Sequence, residues 1–159
     1  MSQSIIITSN ETANSSSKLS VLLANTYLLY LKTQNYHWNI VDKSFISLHQ
    51  FLENQYQELA EAVDTIAERI RVLDNIAPAT FAEFLQLATL SEQDKARNSS
   101  EMLTNLVKDH NLISKDIRGY INEMQDTNSN DHGTIDFFTN RLKAHEQAVW
   151  MLKSHMTSG

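Results

Sequence analysis

Cysteine is absent from this 159-residue chain, which excludes both a disulfide framework and a thiolate metal site. Glycine and proline are scarce. Three Gly and one Pro leave few turns and few helix breaks, so long uninterrupted helices are expected in place of sheets. No stretch approaches the roughly 18 apolar residues of a membrane span. The start has no basic segment leading into an apolar one, and Ile5-Ile6-Ile7 is too short to serve as either signal or span. A soluble, cytoplasmic protein with no membrane partner is the expectation. Positive charge is also short. Residues 1–17 hold no Lys or Arg, and the chain carries a net charge of −6. An assembly of such subunits would repel a polyanion. The end around Lys153 and His155 is too short and weakly charged to reverse that, so direct DNA binding is not expected. Finally, Glu-x-x-His occurs nowhere, which argues against a di-iron centre inside a helix bundle.

What is present fits one domain with ample material for a core, at 42% hydrophobic residues. Residues 1–17 are polar and Ser/Asn-rich and read as a flexible arm, with the domain spanning 18–159. A first long helix is expected from an N-cap at Ser16 or Ser17 to about Ile40, apolar nearly all round. A turn at Val41-Asp42-Lys43-Ser44 follows, with Asp42 tolerating a left-handed conformation. The second long helix runs from about Ser44 to Leu73 and closes on Asp74-Asn75, again αL-tolerant residues. After Pro78, Thr80-x-x-Glu83 is a capping box for a short helix near 80–88, with Phe81, Phe84 and Leu85 as packing residues. Ser91 is the expected cap of a third long helix over 92–125, whose core stripe includes Leu103, Leu106, Ile113 and Ile117. A polar loop over 126–133 precedes a fourth over 134–155. His110, His145 and Trp150 read as structural. The prediction is an all-α, four-helix bundle with one long crossover carrying a short extra helix.

The second helix carries the chemistry. His49-x3-Glu53 and Asp64-x3-Glu68 are each spaced i, i+4, so each pair shares a helix face. At about 100° and 1.5 Å per residue, all four side chains fall within roughly 100° of arc. Along the axis, however, Glu53 and Asp64 stand about 16 Å apart, and His49 and Glu68 about 28 Å. Metal–ligand bonds are about 2 Å, so one helix cannot bring both pairs to one ion. Both pairs share a midpoint between Glu58 and Leu59. Two copies crossing antiparallel there would set His49 and Glu53 of one against Asp64 and Glu68 of the other, giving two equivalent sites per dimer. Ala60 and Ala67, on the same stripe, are small enough for close approach. The blander alternative is a solvated acidic face on which Arg71 offsets Glu68.

Thr33-x-Asn35-x-His37-Trp38-Asn39, Phe45, Leu48-His49, Tyr56 and Asp64-x-x-Ala67-Glu68-Arg69-Ile70 resemble the signature of the Dps family, the mini-ferritins of the ferritin-like superfamily. The likeness runs from about residue 18 onward. The family's ferroxidase ligands follow the pattern His, x11, His, x3, Asp, x10, Asp, x3, Glu, which falls on His37, His49, Glu53, Asp64 and Glu68. The resemblance thus adds His37 to the four residues read from spacing. Position 53 departs from it: Glu stands where the family usually has Asp, moving the carboxylate by about one carbon–carbon bond, 1.5 Å. Trp38 reads from the sequence as ordinary packing. The resemblance sets it beside the iron site.

The resemblance implies a shell of twelve subunits built from dimers. Ferrous iron would be oxidised between subunits, usually by hydrogen peroxide and otherwise by dioxygen, and ferric mineral would collect inside. Iron is the only metal implied, with no organic cofactor. Acidic three-fold pores admit iron in such shells, and Asp126, Asp131 and Asp136 are the candidates near the start of the last helix. The chain ends at Gly159 with no fifth helix, as expected of a mini-ferritin. Competing readings are a DNA-protecting shell with weak or no ferroxidase activity, which the missing basic arm disfavours, and a zinc-binding surface antigen, which the missing export signal disfavours.

Overall fold

The computed structural model describes residues 7–156, and five helices account for most of them. These are α1 (Ser9–Asn39), α2 (Phe45–Val72), α3 (Phe81–Leu87), α4 (Ser99–Asp126) and α5 (His132–Ser154). Short loops fold α1 against α2 and α4 against α5, and the two hairpins pack side by side through α1 and α4. The link from α2 to α4 carries α3, which lies on α1. Among the described residues there is no strand, so the all-α bundle with one long crossover and a short extra helix is the observed fold. Leu22, Leu29, Leu52, Leu59, Ile66, Leu106, Ile113 and Phe138 are essentially solvent-free and form its centre.

Helix starts differ most from expectation. α1 begins at Ser9, well before the Ser16 or Ser17 cap. Thr8 is the true N-cap: its hydroxyl accepts from Glu11 N–H at 3.1 Å, while Glu11 accepts from Thr8 N–H at 2.9 Å. Ser15 and Ser16 are buried within the helix. The polar segment is held helical by the bundle itself. Glu11 also accepts from Asn130 N–H, and Lys18 reaches Glu123 at 3.1 Å. Residues 1–6 of the expected arm lie outside the described residues.

α4 starts late, at Ser99, where the Asn98 side chain accepts from Glu101 N–H. The segment expected to open this helix at Ser91 is an irregular loop with no apolar stripe to bury. Asp94 pins it by accepting from Tyr36 Oη–H at 2.9 Å and from Ala96 N–H. α5 starts at His132, two residues early, because Asp131 caps it through Thr134 N–H. Of the two turns expected to use left-handed backbone, Asp74 does so with φ 65° and Asp42 does not. Asp42 instead accepts from Ser44 N–H and from the Ser99 hydroxyl, tying the α1–α2 turn to the start of α4. In α3, Phe84 packs, whereas Phe81 is 72% exposed and Leu85 about half. Trp150 likewise faces out of the chain, 66% exposed.

Candidate metal centre

α1 ends where Ile40 turns extended and buries its side chain, which leaves His37 in the last helical turn. α2 begins at Phe45, placing His49 in its second turn. The two histidines clasp one another across the turn. His37 Nδ1 lies 2.7 Å from His49 O, and His49 Nδ1 lies 2.8 Å from His37 O. A carbonyl oxygen can only accept, so both Nδ1 atoms carry a proton, and in the neutral imidazoles the Nε2 atoms hold the lone pairs. That is the tautomer a metal requires, fixed before any metal arrives.

The rings stack with centroids 3.8 Å apart and planes 12° from parallel. Phe45 covers the far face of this pair by stacking on His49 at 4.8 Å, and Tyr56 meets His37 edge-on at 5.2 Å. These two aromatics were legible as part of the signature, but their task as walls of the histidine stack was not. Glu53, one turn along α2 from His49, brings Oε1 to 3.8 Å from His37 Nε2. Two bonds of about 2.1 Å span that separation, so an ion between them would touch both. Glu53 thus faces His37 from α2. His37 Nε2 and the Glu53 carboxylate, with His49 stacked alongside, are donors of the kind iron takes.

Asp64 and Glu68 lie further along α2, exposed, and among the described residues neither makes an ion pair or side-chain hydrogen bond. α2 is continuous from Phe45 to Val72, so the axial separation computed above applies. Arg71 does not offset Glu68; it donates to Asn75 O at 2.7 Å. Among the described residues no three His, Asp or Glu side chains converge closely enough to hold an ion within one chain. The structure thus stacks His49 on His37 and sets Glu53 opposite His37, while Asp64 and Glu68 face outward. Trp38 is not packed within its own chain, being 60% exposed.

The pore candidates divide. Asp126 and Asp136 are exposed. Asp131 is not available to line a pore, being fully buried. It caps α5 and pairs with Arg69 at 3.1 Å. Burial pushes its carboxyl up, but the hydrogen bonding of Thr134 and the Arg69 charge outweigh that and hold it below the usual carboxylate range.

No helix among the described residues is long and apolar enough to cross a membrane. The family model of the ferritin-like domain matches residues 17–158. A low temperature-induced protein of Nostoc sp. (strain PCC 7120) is 41% identical over 133 residues, covering 83% of this chain and 74% of that protein. The crystal structure of antigen TpF1 from Treponema pallidum superposes with a TM-score of 0.87 at 30% identity, covering 99% of this chain and 100% of that one. A Dps protein from Vibrio cholerae O1, described as a member of a broad superfamily of ferritin-like diiron-carboxylate proteins, gives 0.86 at 26% identity, over 96% and 98% of the two chains. With the family model over nearly the whole chain and solved Dps structures matching end to end, this chain belongs to the Dps family of ferritin-like proteins.

Proposed function

We propose that, within the iron storage and protection that membership in this family supports, the chain is a ferroxidase whose site is completed by a second copy of itself. The carrying observation is the His37–His49 clasp. It sets His37 Nε2 opposite Glu53 with the His49 ring stacked alongside, and among the described residues one chain brings no three such side chains close enough to hold an ion. Asp64 and Glu68 of a partner crossing α2 antiparallel at its midpoint would supply the missing carboxylates. Ferrous iron is the substrate. Each ferrous ion gives up one electron; peroxide takes up two electrons and two protons and leaves as water. Anionic ligands favour the ferric product because they better compensate its higher charge.

Hydrogen peroxide is the proposed oxidant, with dioxygen as the alternative, and a closed shell of twelve subunits in the cytoplasm is the proposed assembly. Asp126 and Asp136 remain the candidates for lining an iron entry route. The net charge of −6 supports storage over a DNA-protecting role. The test is anaerobic ferrous loading followed by peroxide, read as ferric absorbance. The intact protein should oxidise iron at least about ten-fold faster than a His37→Ala/His49→Ala variant of unchanged assembly size. Equal rates in the two would overturn the assignment.

A further inference from the structure

Three of the chain's five tyrosines stand in one file that starts at the metal centre. Tyr56 of α2 meets the His37 ring edge-on, with centroids 5.2 Å apart and planes at 73°. Tyr30 of α1 meets Tyr56 at 5.9 Å, and Tyr27, one turn back along α1, meets Tyr30 at 5.8 Å. Phe84 of α3 stacks on Tyr27 at 5.0 Å and closes the file. All three tyrosines are partly buried. Aromatic centroids about 4.5–7 Å apart are ordinary packing. Packing accounts for the rings, however, and not for the hydroxyls. Among the described residues neither the Tyr27 nor the Tyr56 hydroxyl makes a hydrogen bond, and the Tyr30 oxygen only accepts one, from Gln34 at 3.2 Å. Phenylalanine would fill the same space. What the hydroxyl adds is redox chemistry, because a phenol gives up an electron and a proton far more readily than a benzene ring or an imidazole.

The ferroxidase reaction leaves an odd electron to find whenever a centre holds a single ferrous ion. Peroxide accepts two electrons, and that ion supplies one. The aromatic rings stacked on or edging the histidine pair are Phe45 and Tyr56, and of the two only the phenol is readily oxidised. Tyr56 supplies the missing electron together with its phenolic proton. One ferrous ion, one tyrosine, one peroxide and one further proton then give one ferric ion, one tyrosyl radical and two waters. Tyr30 passes an electron and a proton to Tyr56, and Tyr27 does the same for Tyr30. The radical thus moves off the centre while each phenol behind it is restored. A diffusible enediol or thiol completes the balance by giving the last radical one hydrogen atom.

Resting on the ferroxidase reading, we propose that Tyr56, Tyr30 and Tyr27 form an electron relay into the His37 centre, completing the two-electron reduction of peroxide when only one ferrous ion is bound. The experiment loads the intact protein anaerobically with one ferrous ion per centre and adds peroxide. Ferric absorbance is followed, with electron paramagnetic resonance on freeze-quenched samples. A tyrosyl signal should appear with the ferric product, and ring-deuterated tyrosine should narrow it in the protein of unaltered sequence. Tyr56→Phe should abolish the signal. Tyr30→Phe, which cuts the file, should strand the radical on Tyr56 and change the hyperfine pattern, which the side-chain angle of each tyrosine sets. Tyr27→Phe should change that pattern too. No ferric absorbance would overturn the ferroxidase reading and the relay with it. Ferric absorbance with no tyrosyl signal, with a tryptophanyl one instead, or with a tyrosyl signal that survives Tyr56→Phe would overturn the relay alone. A signal lost in Tyr56→Phe yet identical in Tyr30→Phe and Tyr27→Phe would confine the radical to Tyr56, and that also sinks the relay.

Discussion

Two histidine pairs in this chain use the same ring in opposite ways. His37 and His49 give their Nδ1 protons to backbone carbonyls and keep Nε2 open. His110 and His145 share one proton between Nδ1 atoms and are sealed in the bundle. The sealed pair has a pH signature. An unfolded histidine takes up a proton near 6.5, whereas folded His110 resists until about 3. The folded state is therefore penalised as pH falls below about 6.5, and above it there is no penalty. At pH 5 the loss from His110 alone is about 2 kcal/mol. The groups facing it are His145 and Arg141, with Glu58 paired behind Arg141. Denaturant titrations at pH 7.5 and pH 5 should show this loss, and His110→Phe should shrink it; equal midpoints would mean that the ring is solvated. The i, i+4 spacings exposed four of the proposed ligands to a reader of the sequence, because helical periodicity is local. His37 was legible only through the signature, since its partner His49 lies across a turn. Trp150 carried no such signal, since its exposure depends on the exact phase of α5, which composition does not fix.

Among the elements, the interiors of the four long helices followed from apolar periodicity, and their starts did not. A helix begins where some residue satisfies its first N–H groups, and several polar residues compete for that task. Thr8 defeats Ser16 because Glu11 completes a box with it and is also held by Asn130 N–H across the bundle, a contact far away in sequence. Thr8→Ala should cost about 1 kcal/mol and speed amide exchange in the first turns of α1. Unchanged exchange there would show that the tertiary contacts alone hold the segment.

The junction of α2 with α5 offers a second test. A Cβ on Gly133 would meet Arg69 Nη2 at 2.7 Å, and that guanidinium neutralises the buried Asp131. Gly133→Ala should push Arg69 aside and destabilise the protein by about 1–3 kcal/mol, read from thermal or denaturant unfolding. The flexible arginine absorbing the methyl without loss would show that Asp131 is sufficiently held by Thr134.

For the whole molecule, fold class was legible early because few glycines, one proline and long apolar periodicities leave little besides a helical bundle. Which apolar side chains stay uncovered was not, because exposure depends on the tertiary packing around each one. Val72, Ile76 and Phe81 are largely exposed in the single chain, a fact no periodicity could announce. With net charge −6, intact assemblies should not retard duplex DNA in a gel even at low salt. Retardation would show a local basic surface overriding the total.

The unbroken length of α2 has one more consequence. Because its histidine end and its acidic end lie too far apart to serve the same ion, the proposed two-fold arrangement makes each subunit lend half of itself to each of two neighbourhoods. Subunits lacking only the histidines and subunits lacking only Asp64 and Glu68 would then be inert as pure populations. Unfolded together and reassembled in equal amounts, they should recover about a quarter of the wild-type oxidation rate, since every mixed pair rebuilds one whole centre and ruins the other.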